Sequence, residues 1–171
     1  GRLKELAPSL KDLQIAAILA PIPRPNQAFW TLSALWSGWL WGKESANTFK
    51  SILRRRRYDW GWHTAALTSS FTALNESTPP DTPMLGLIGE NEPGFTGASL
   101  LAGSHAGFEL VGSAQRDNLA QIAWRSGRLK TAERIKPETA QAAAVQAGLD
   151  YLRSGGEPAG YLPLYTAAIE G

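Results

Sequence analysis

Apolar residues along this chain fall into blocks that alternate between strand length and helix length. Leu13 to Leu19 is a near-continuous apolar run of strand length, the pattern of a parallel strand covered on both faces. It stops in the Pro-rich loop Pro21-Ile22-Pro23-Arg24-Pro25-Asn26. From Gln27 to Trp41 apolar residues are dense and Pro is absent, which predicts a buried helix ending near Gly42. Ser45 to Arg57 predicts a second, more polar helix. Phe49, Ile52 and Leu53 share one of its faces, and Arg54 to Arg57 crowd its last turn, where cations suit the helix dipole. Tyr58 to Leu74 predicts a third, with Trp62, Ala65, Ala66, Ser69 and Ala73 as a face small enough to pack on a sheet.

Thr78-Pro79-Pro80-Asp81-Thr82-Pro83 is a loop, because Pro at three of its six positions excludes helix and central strand. Met84 to Ile88 follows as a short buried strand. Gly89 to Gly94 is a turn into a helix from Phe95 to Ala106, which Gly107 stops. Phe108 to Ala114 and Leu119 to Trp124 read as an antiparallel pair joined through Gln115-Arg116-Asp117-Asn118. Pro137 to Arg153 is an Ala/Gln-rich helix with Pro near its start and Gly155-Gly156 after its end. A last helix begins near Leu162. Strands alternating with helices predict an α/β fold on a mainly parallel sheet, with the closing strand pair adding an antiparallel edge. The expected organisation is an α/β domain over residues 1–130 and a helical extension over 131–171.

With 171 residues, 43% of them hydrophobic, the chain can bury one good core. It has no Cys, which excludes disulfides and thiolate metal sites and suits a reducing cytoplasm. His63 and His105 stand far apart with no acidic cluster beside either, which argues against a metal site. No apolar run approaches the ~18 residues of a membrane span, and no signal-peptide pattern opens the chain. The chain begins at Gly1 without Met and ends in what reads as mid-helix, so a segment of a longer protein is expected. The net charge of +2 permits a nucleic-acid partner without arguing for one.

Few residues bear candidate chemistry. The loop Pro21 to Asn26 leaves the carboxyl end of a strand, where α/β proteins bind ligands. Asn26 could supply an amide acceptor or cap the helix that begins at Gln27. Glu90 and Glu92 could do acid–base work, or simply solvate a strand-end turn. Arg54, Arg55, Arg56 and Arg57 precede Tyr58, Trp60 and Trp62, an interleaving of cations and aromatics that suits nucleic acid. The alternative is a solvated helix end with the aromatics in the core. Trp30, Trp36, Trp39 and Trp41 are expected in the core; left exposed, they would mark a partner surface. No Ser lies in a Gly-x-Ser-x-Gly elbow.

The strand–helix order resembles the second half of a class I methyltransferase domain, which ends with strand, helix and two strands, the last inserted antiparallel. Met84 to Phe108, with Glu92-Pro93-Gly94-Phe95 and Ala106-Gly107-Phe108-Glu109-Leu110, is similar to that region. The first loop resembles the Asp-Pro-Pro-Tyr motif of adenine-specific DNA methylases. The motif's Asp falls on Pro21, its first Pro on Ile22, its second on Pro23 and its Tyr on Arg24, so only Pro23 matches.

The resemblance implies a Rossmann-like sheet and an S-adenosylmethionine-dependent nucleic-acid methyltransferase. Its catalytic residues would be Asn26 and Arg24. Its substrate would meet Pro23, Phe29 and Trp30, and nucleic acid would meet Arg54 to Arg57. The donor's usual Gly-rich loop is missing, for no Gly-x-Gly occurs. S-adenosylmethionine is therefore expected only with the longer protein, and no catalysis is expected from this segment alone. The alternative is a non-enzymatic binding module on the same scaffold, meeting nucleic acid, or another domain or chain through the Trp-rich helix.

Overall fold

The computed structural model describes residues 13–24, 27–53, 59–127 and 135–170, the side chains of residues 27–29, 51 and 52 excepted. The elements run β1 (Ile18–Pro21), α1 (Gln27–Trp41), α2 (Lys43–Asn47), α3 (Lys50–Leu53), α4 (Trp60–Ser77), β2 (Pro83–Ile88), α5 (Pro93–His105), β3 (Phe108–Arg116), β4 (Leu119–Ser126), α6 (Pro137–Gly155) and α7 (Tyr161–Glu170). The fold is α/β, with one mixed four-stranded sheet in the order β1-β2-β4-β3.

β1 pairs in parallel with β2, Leu19 opposite Leu85. β4 runs antiparallel to both its neighbours, with Ile122 opposite Gly86 on β2 and Ser113 on β3. The first three strands therefore share a direction, and the last enters between β2 and β3 against it. This is the arrangement expected of the four strand segments. A register shift between Leu110 and Gly112 leaves Val111 as a bulge.

Only one face of the sheet is covered among the described residues. Along the whole of β4 burial alternates, with Ala120, Ile122, Trp124 and Ser126 buried, as in a strand that packs on one side. Met84, Gly86 and Ile88 of β2 lie on the same side. On the other side Leu85, Leu87 and Ala123 are half-buried and Leu19 is exposed. This corrects the expectation of a first strand covered on both faces. Its bounds shift too: β1 spans Ile18–Pro21, not Leu13 to Leu19. Its partner begins at Pro83, and the residues before that belong to a turn bonded across to β4, so nothing remains for residues 13–17 to pair with. In that turn Thr82 and Ser126 exchange bonds of 2.8 Å, and the Ser126 hydroxyl also donates to the Pro79 carbonyl. Pro21 lacks an N–H but is tolerated because β1 is an edge strand.

The core lies between the covered face and α4 and α5. It joins Leu67 and Phe71 from α4, Phe95, Leu100 and Ala102 from α5, and Met84, Ile88, Phe108, Ile122 and Trp124 from the sheet. Phe71 meets Trp124 and Phe108 edge-on, with ring centroids 5.8 and 6.1 Å apart. Burying each such side chain contributes about 1.5–3 kcal/mol. α5 is enclosed from Phe95 to Leu100 without a break, and α7 lies on it with the Tyr165 hydroxyl close over Gly97. The αL backbone of Gly107 (φ 86°) ends α5 where the sequence predicted a stop.

Three further expectations need correction. Of the helix predicted over Ser45 to Arg57, the described part up to Leu53 falls into two short helices divided at Thr48-Phe49, where the Phe49 N–H donates to the Ala46 carbonyl at 3.1 Å and the ring turns toward Trp30. The face of α4 that packs inward is His63, Leu67 and Phe71, with Trp60 and Leu74 at its ends; of the predicted face Ala73 is buried, Trp62 and Ala66 are half-buried, and Ala65 and Ser69 are exposed. The Asp59 carboxylate caps this helix by accepting from the Trp62 N–H at 3.0 Å. The larger side chains of the helix fill the space over the sheet better than the Ala/Ser face does. Lastly, α1 is not a core helix: Trp36, Trp39 and Trp41 are 56%, 75% and 73% exposed.

Candidate functional site

The parallel pair β1 and β2 ends in two loops that meet. After Pro21 the chain continues for one residue as if still paired, the Ile22 N–H donating to the Leu87 carbonyl at 2.8 Å. Ile22 is buried, Pro23 is exposed, and the Arg24 side chain turns toward the loop that follows β2. There Gly89, Glu90, Asn91 and Glu92 lead into α5, with Glu90 at φ 50° and Pro93 opening the helix.

Arg24 is held from both sides. Its Nη1 donates to the Glu90 carbonyl at 3.2 Å and to the Glu90 carboxylate, and its Nη2 donates to Glu92 Oε1 at 2.7 Å. The guanidinium thus ties the two strand-end loops together, and the three side chains carry one net negative charge. Asn91 anchors the same loop elsewhere: its N–H donates to the Asn118 carbonyl at 2.6 Å, and its side-chain oxygen accepts from the Thr96 hydroxyl.

Behind the loop stands an aromatic cluster. Trp60 stacks on Phe95, with centroids 5.9 Å apart and planes 16° from parallel. His63 meets both rings edge-on, at 5.9 and 5.6 Å. A Cβ on Gly94 would fall 2.2 Å from Trp60 Nε1, so Gly at this position lets the indole lie against the start of α5. His63 is buried, its Nε2 has no partner among the described residues, and burial pushes its pKa below 6.5. It is a neutral packing group near neutral pH.

Of the residues singled out from sequence, Arg24 and Pro23 lie at this strand-end site. Trp30 lies on α1, its ring 6.1 Å from that of Phe49. Asn26, Arg54, Arg55, Arg56 and Arg57 lie outside the described residues, as does the side chain of Phe29. The pairing of Arg24 with both Glu90 and Glu92 was not foreseen. The signal for it was topological, since neighbouring parallel strands bring their carboxyl-end loops together.

Two cavities lie elsewhere, along α7 and β3. One of about 190 Å³ is lined mainly by Leu100, Leu101, Phe108, Leu110, Trp124 and Ile169. The other, about 170 Å³, is more polar, with Ser113, Gln115, Tyr151 and Thr166 in its wall. Gln115 donates to the Thr166 hydroxyl while its side-chain oxygen stays unpartnered, an ordinary place for a water molecule. Among the described residues no group of three or more Asp, Glu or His could hold a metal ion, and no helix is long and apolar enough to cross a membrane. Compared with family models, with curated proteins and with solved structures, the chain matches none.

Proposed function

We propose that this chain is a methyltransferase-like domain that presents the acceptor side of the site to nucleic acid. One observation carries the reading: β4 enters the sheet antiparallel between β2 and β3, the closing arrangement that the resemblance implies. The Pro21–Arg24 segment, at the carboxyl end of the parallel pair and fastened to the Glu90–Glu92 loop, supports it. In the adenine-specific methylases an acid accepts hydrogen bonds from the amine to be methylated. Pro21, at the matching position, has no such acceptor. In the proposed site the Glu92 carboxylate, oriented by Arg24, or the Asn26 amide takes that part. Pro23, Phe29 and Trp30 contact the base, and Arg54 to Arg57 contact phosphates.

The residues present do not fit S-adenosylmethionine. No Gly-x-Gly cradle occurs in the chain, and the loop after β2 offers Glu90 and Glu92, whose charge opposes the donor's carboxylate. The chain as it stands is therefore an acceptor-binding part and not a complete enzyme.

Two measurements test the proposal. Calorimetry with S-adenosylmethionine should show no binding tighter than about millimolar. Anisotropy titrations at low salt should show nucleic-acid binding, falling with a log–log slope near −0.9 per phosphate neutralised on duplex DNA. Replacing Arg54 to Arg57 by Gln should flatten that slope. Micromolar donor binding, or no binding of DNA or RNA at low salt, would overturn the reading. The second result would favour a non-enzymatic module on the same scaffold, a reading that the exposed Trp side chains of α1 support.

A further inference from the structure

Helix α1 is built inside out. Leu32, Leu35, Trp36, Trp39 and Leu40 follow the i, i+3, i+4, i+7, i+8 spacing of a packing stripe, yet all are at least half exposed. The helix's half-buried positions are Trp30, which lies against Phe49, and the small residues Ser33, Ala34, Ser37 and Gly38. The Ser37 carbonyl accepts from the Ser45 hydroxyl at 2.7 Å, and Gly38 lies beside Ala46. Beyond Trp30, small residues therefore take the inner side, with Ser37 and Gly38 against α2, and the large residues of the stripe face outward. Trp36 and Trp39 already rest edge-to-face on one another, centroids 5.5 Å apart, so the outer face is ordered before anything meets it.

The exposed side chains of this stripe offer roughly 600 Å² of apolar surface, given that a Trp buries up to about 250 Å². That is the top of the range for the largest patch of a typical monomer, about 300–600 Å². Two such faces together reach about 1,200 Å², the lower bound of a standard interface. No Asp, Glu, Lys or Arg stands between Gln27 and Gly42, so two copies of this face can meet without opposing like charges.

The order of residues points further. Leu35-Trp36-Ser37-Gly38-Trp39-Leu40 reads nearly the same from either end, with its centre between Ser37 and Gly38. On a helix, residues 35, 36, 39 and 40 share one face, and a two-fold axis through that centre exchanges 36 with 39 and 35 with 40. An isologous contact needs this self-complementarity, because each residue i that touches j must find j touching i. We propose that α1 is a homodimer interface. Two copies pack antiparallel, Trp36 of one against Trp39 of the other and Leu35 against Leu40. The inference is independent of the proposed function, and its tests use neither nucleic acid nor methyl donor.

Light scattering during gel filtration, at concentrations on the order of 10–100 µM, should give twice the chain mass of 18.5 kDa. Trp39→Glu should weaken association by about 100-fold or more, as at a central aromatic hot spot. It should leave the far-ultraviolet circular dichroism spectrum unchanged, since that residue is 75% exposed, and should lower the melt only by what association contributes. Because the chain has no Cys, single substitutions report the register directly. An equimolar mixture of Leu35→Cys and Leu40→Cys chains should form a disulfide heterodimer, while neither alone cross-links comparably. A monomer at 100 µM, a Trp39→Glu chain that still dimerises, or self-cross-linking of Leu35→Cys alone would each overturn the proposal. So would a monomer that binds neutral lipid vesicles or a different protein through this face.

Discussion

Trp124 fills the notch that Gly103 leaves open: a Cβ added to Gly103 would lie 2.6 Å from the indole Nε1. Gly86 makes the matching allowance from β2, where an added Cβ would lie 2.5 Å from the indole ring. The largest fully buried side chain of the core is thus seated between a glycine of α5 and a glycine of β2. Gly103→Ala should destabilise the fold by about 1–3 kcal/mol through overpacking. At roughly 2–4 °C per kcal/mol for a chain of this size, thermal unfolding reads the loss directly.

Asn75 holds three element ends together. Its Nδ2 donates to the Ala106 carbonyl at 2.9 Å, just past α5, and to the Gly127 carbonyl at 3.0 Å, just past β4. Asn75→Ala leaves both carbonyls without this donor, a cost of about 1–3 kcal/mol. Urea unfolding should show a lower midpoint with an unchanged slope, because the surface exposed on unfolding stays the same.

His63 makes stability depend on pH in a defined direction. Its folded pKa lies below 6.5, so as pH falls the unfolded chain takes up the proton first. The stability it contributes is complete above about 6.5 and is lost as pH falls from there toward the folded pKa, at no more than about 1.4 kcal/mol per pH unit. His63→Phe keeps a ring against both Trp60 and Phe95 and removes the proton. Its unfolding free energy should vary less between pH 7 and pH 5 than that of the unaltered chain.

Arg24 is only partly buried and Glu90 is largely exposed, so Arg24→Met should cost less than about 1 kcal/mol overall. Its effect should be local. With the clamp gone, the Ile22 amide, bonded to the Leu87 carbonyl, should exchange its hydrogen faster while the global melt barely moves. An unchanged exchange rate would show that the two loops stay together without the ion pairs.

The strands of the closing hairpin and β2 were legible because their signals are local. Each is bounded by Pro, Gly, Asp or Asn punctuation, and the turn is Asp117-Asn118, the second half of the expected connection, whose Gln115 and Arg116 instead extend β3. The helices misled where apolar density was equated with burial. The helix enclosed over Phe95 to Leu100 is α5, rich in Gly, Ala, Ser and Thr, since a helix turn surrounded by neighbours must let them approach closely. The Trp-rich α1 is too bulky for that place and stays outside. Arg24 and its acidic partners are separated by 66 and 68 residues, so no window along the chain could pair them. Only the parallel pairing of β1 with β2 does so.

That pairing also bears on the order in which the molecule assembles. The β3–β4 hairpin closes through two residues, whereas β1 must find β2 across more than sixty residues with only four register positions to hold it. Loop closure over such a separation carries its entropic cost before any contact offsets it. Sheet growth therefore starts at the hairpin and ends at β1, and in pulsed hydrogen exchange Ile122 should become protected before Ile22. The Pro21–Arg24 loop is then the last part of the candidate site to be placed and the first to be lost, whereas the Glu90–Glu92 loop is already held to the hairpin turn through Asn91.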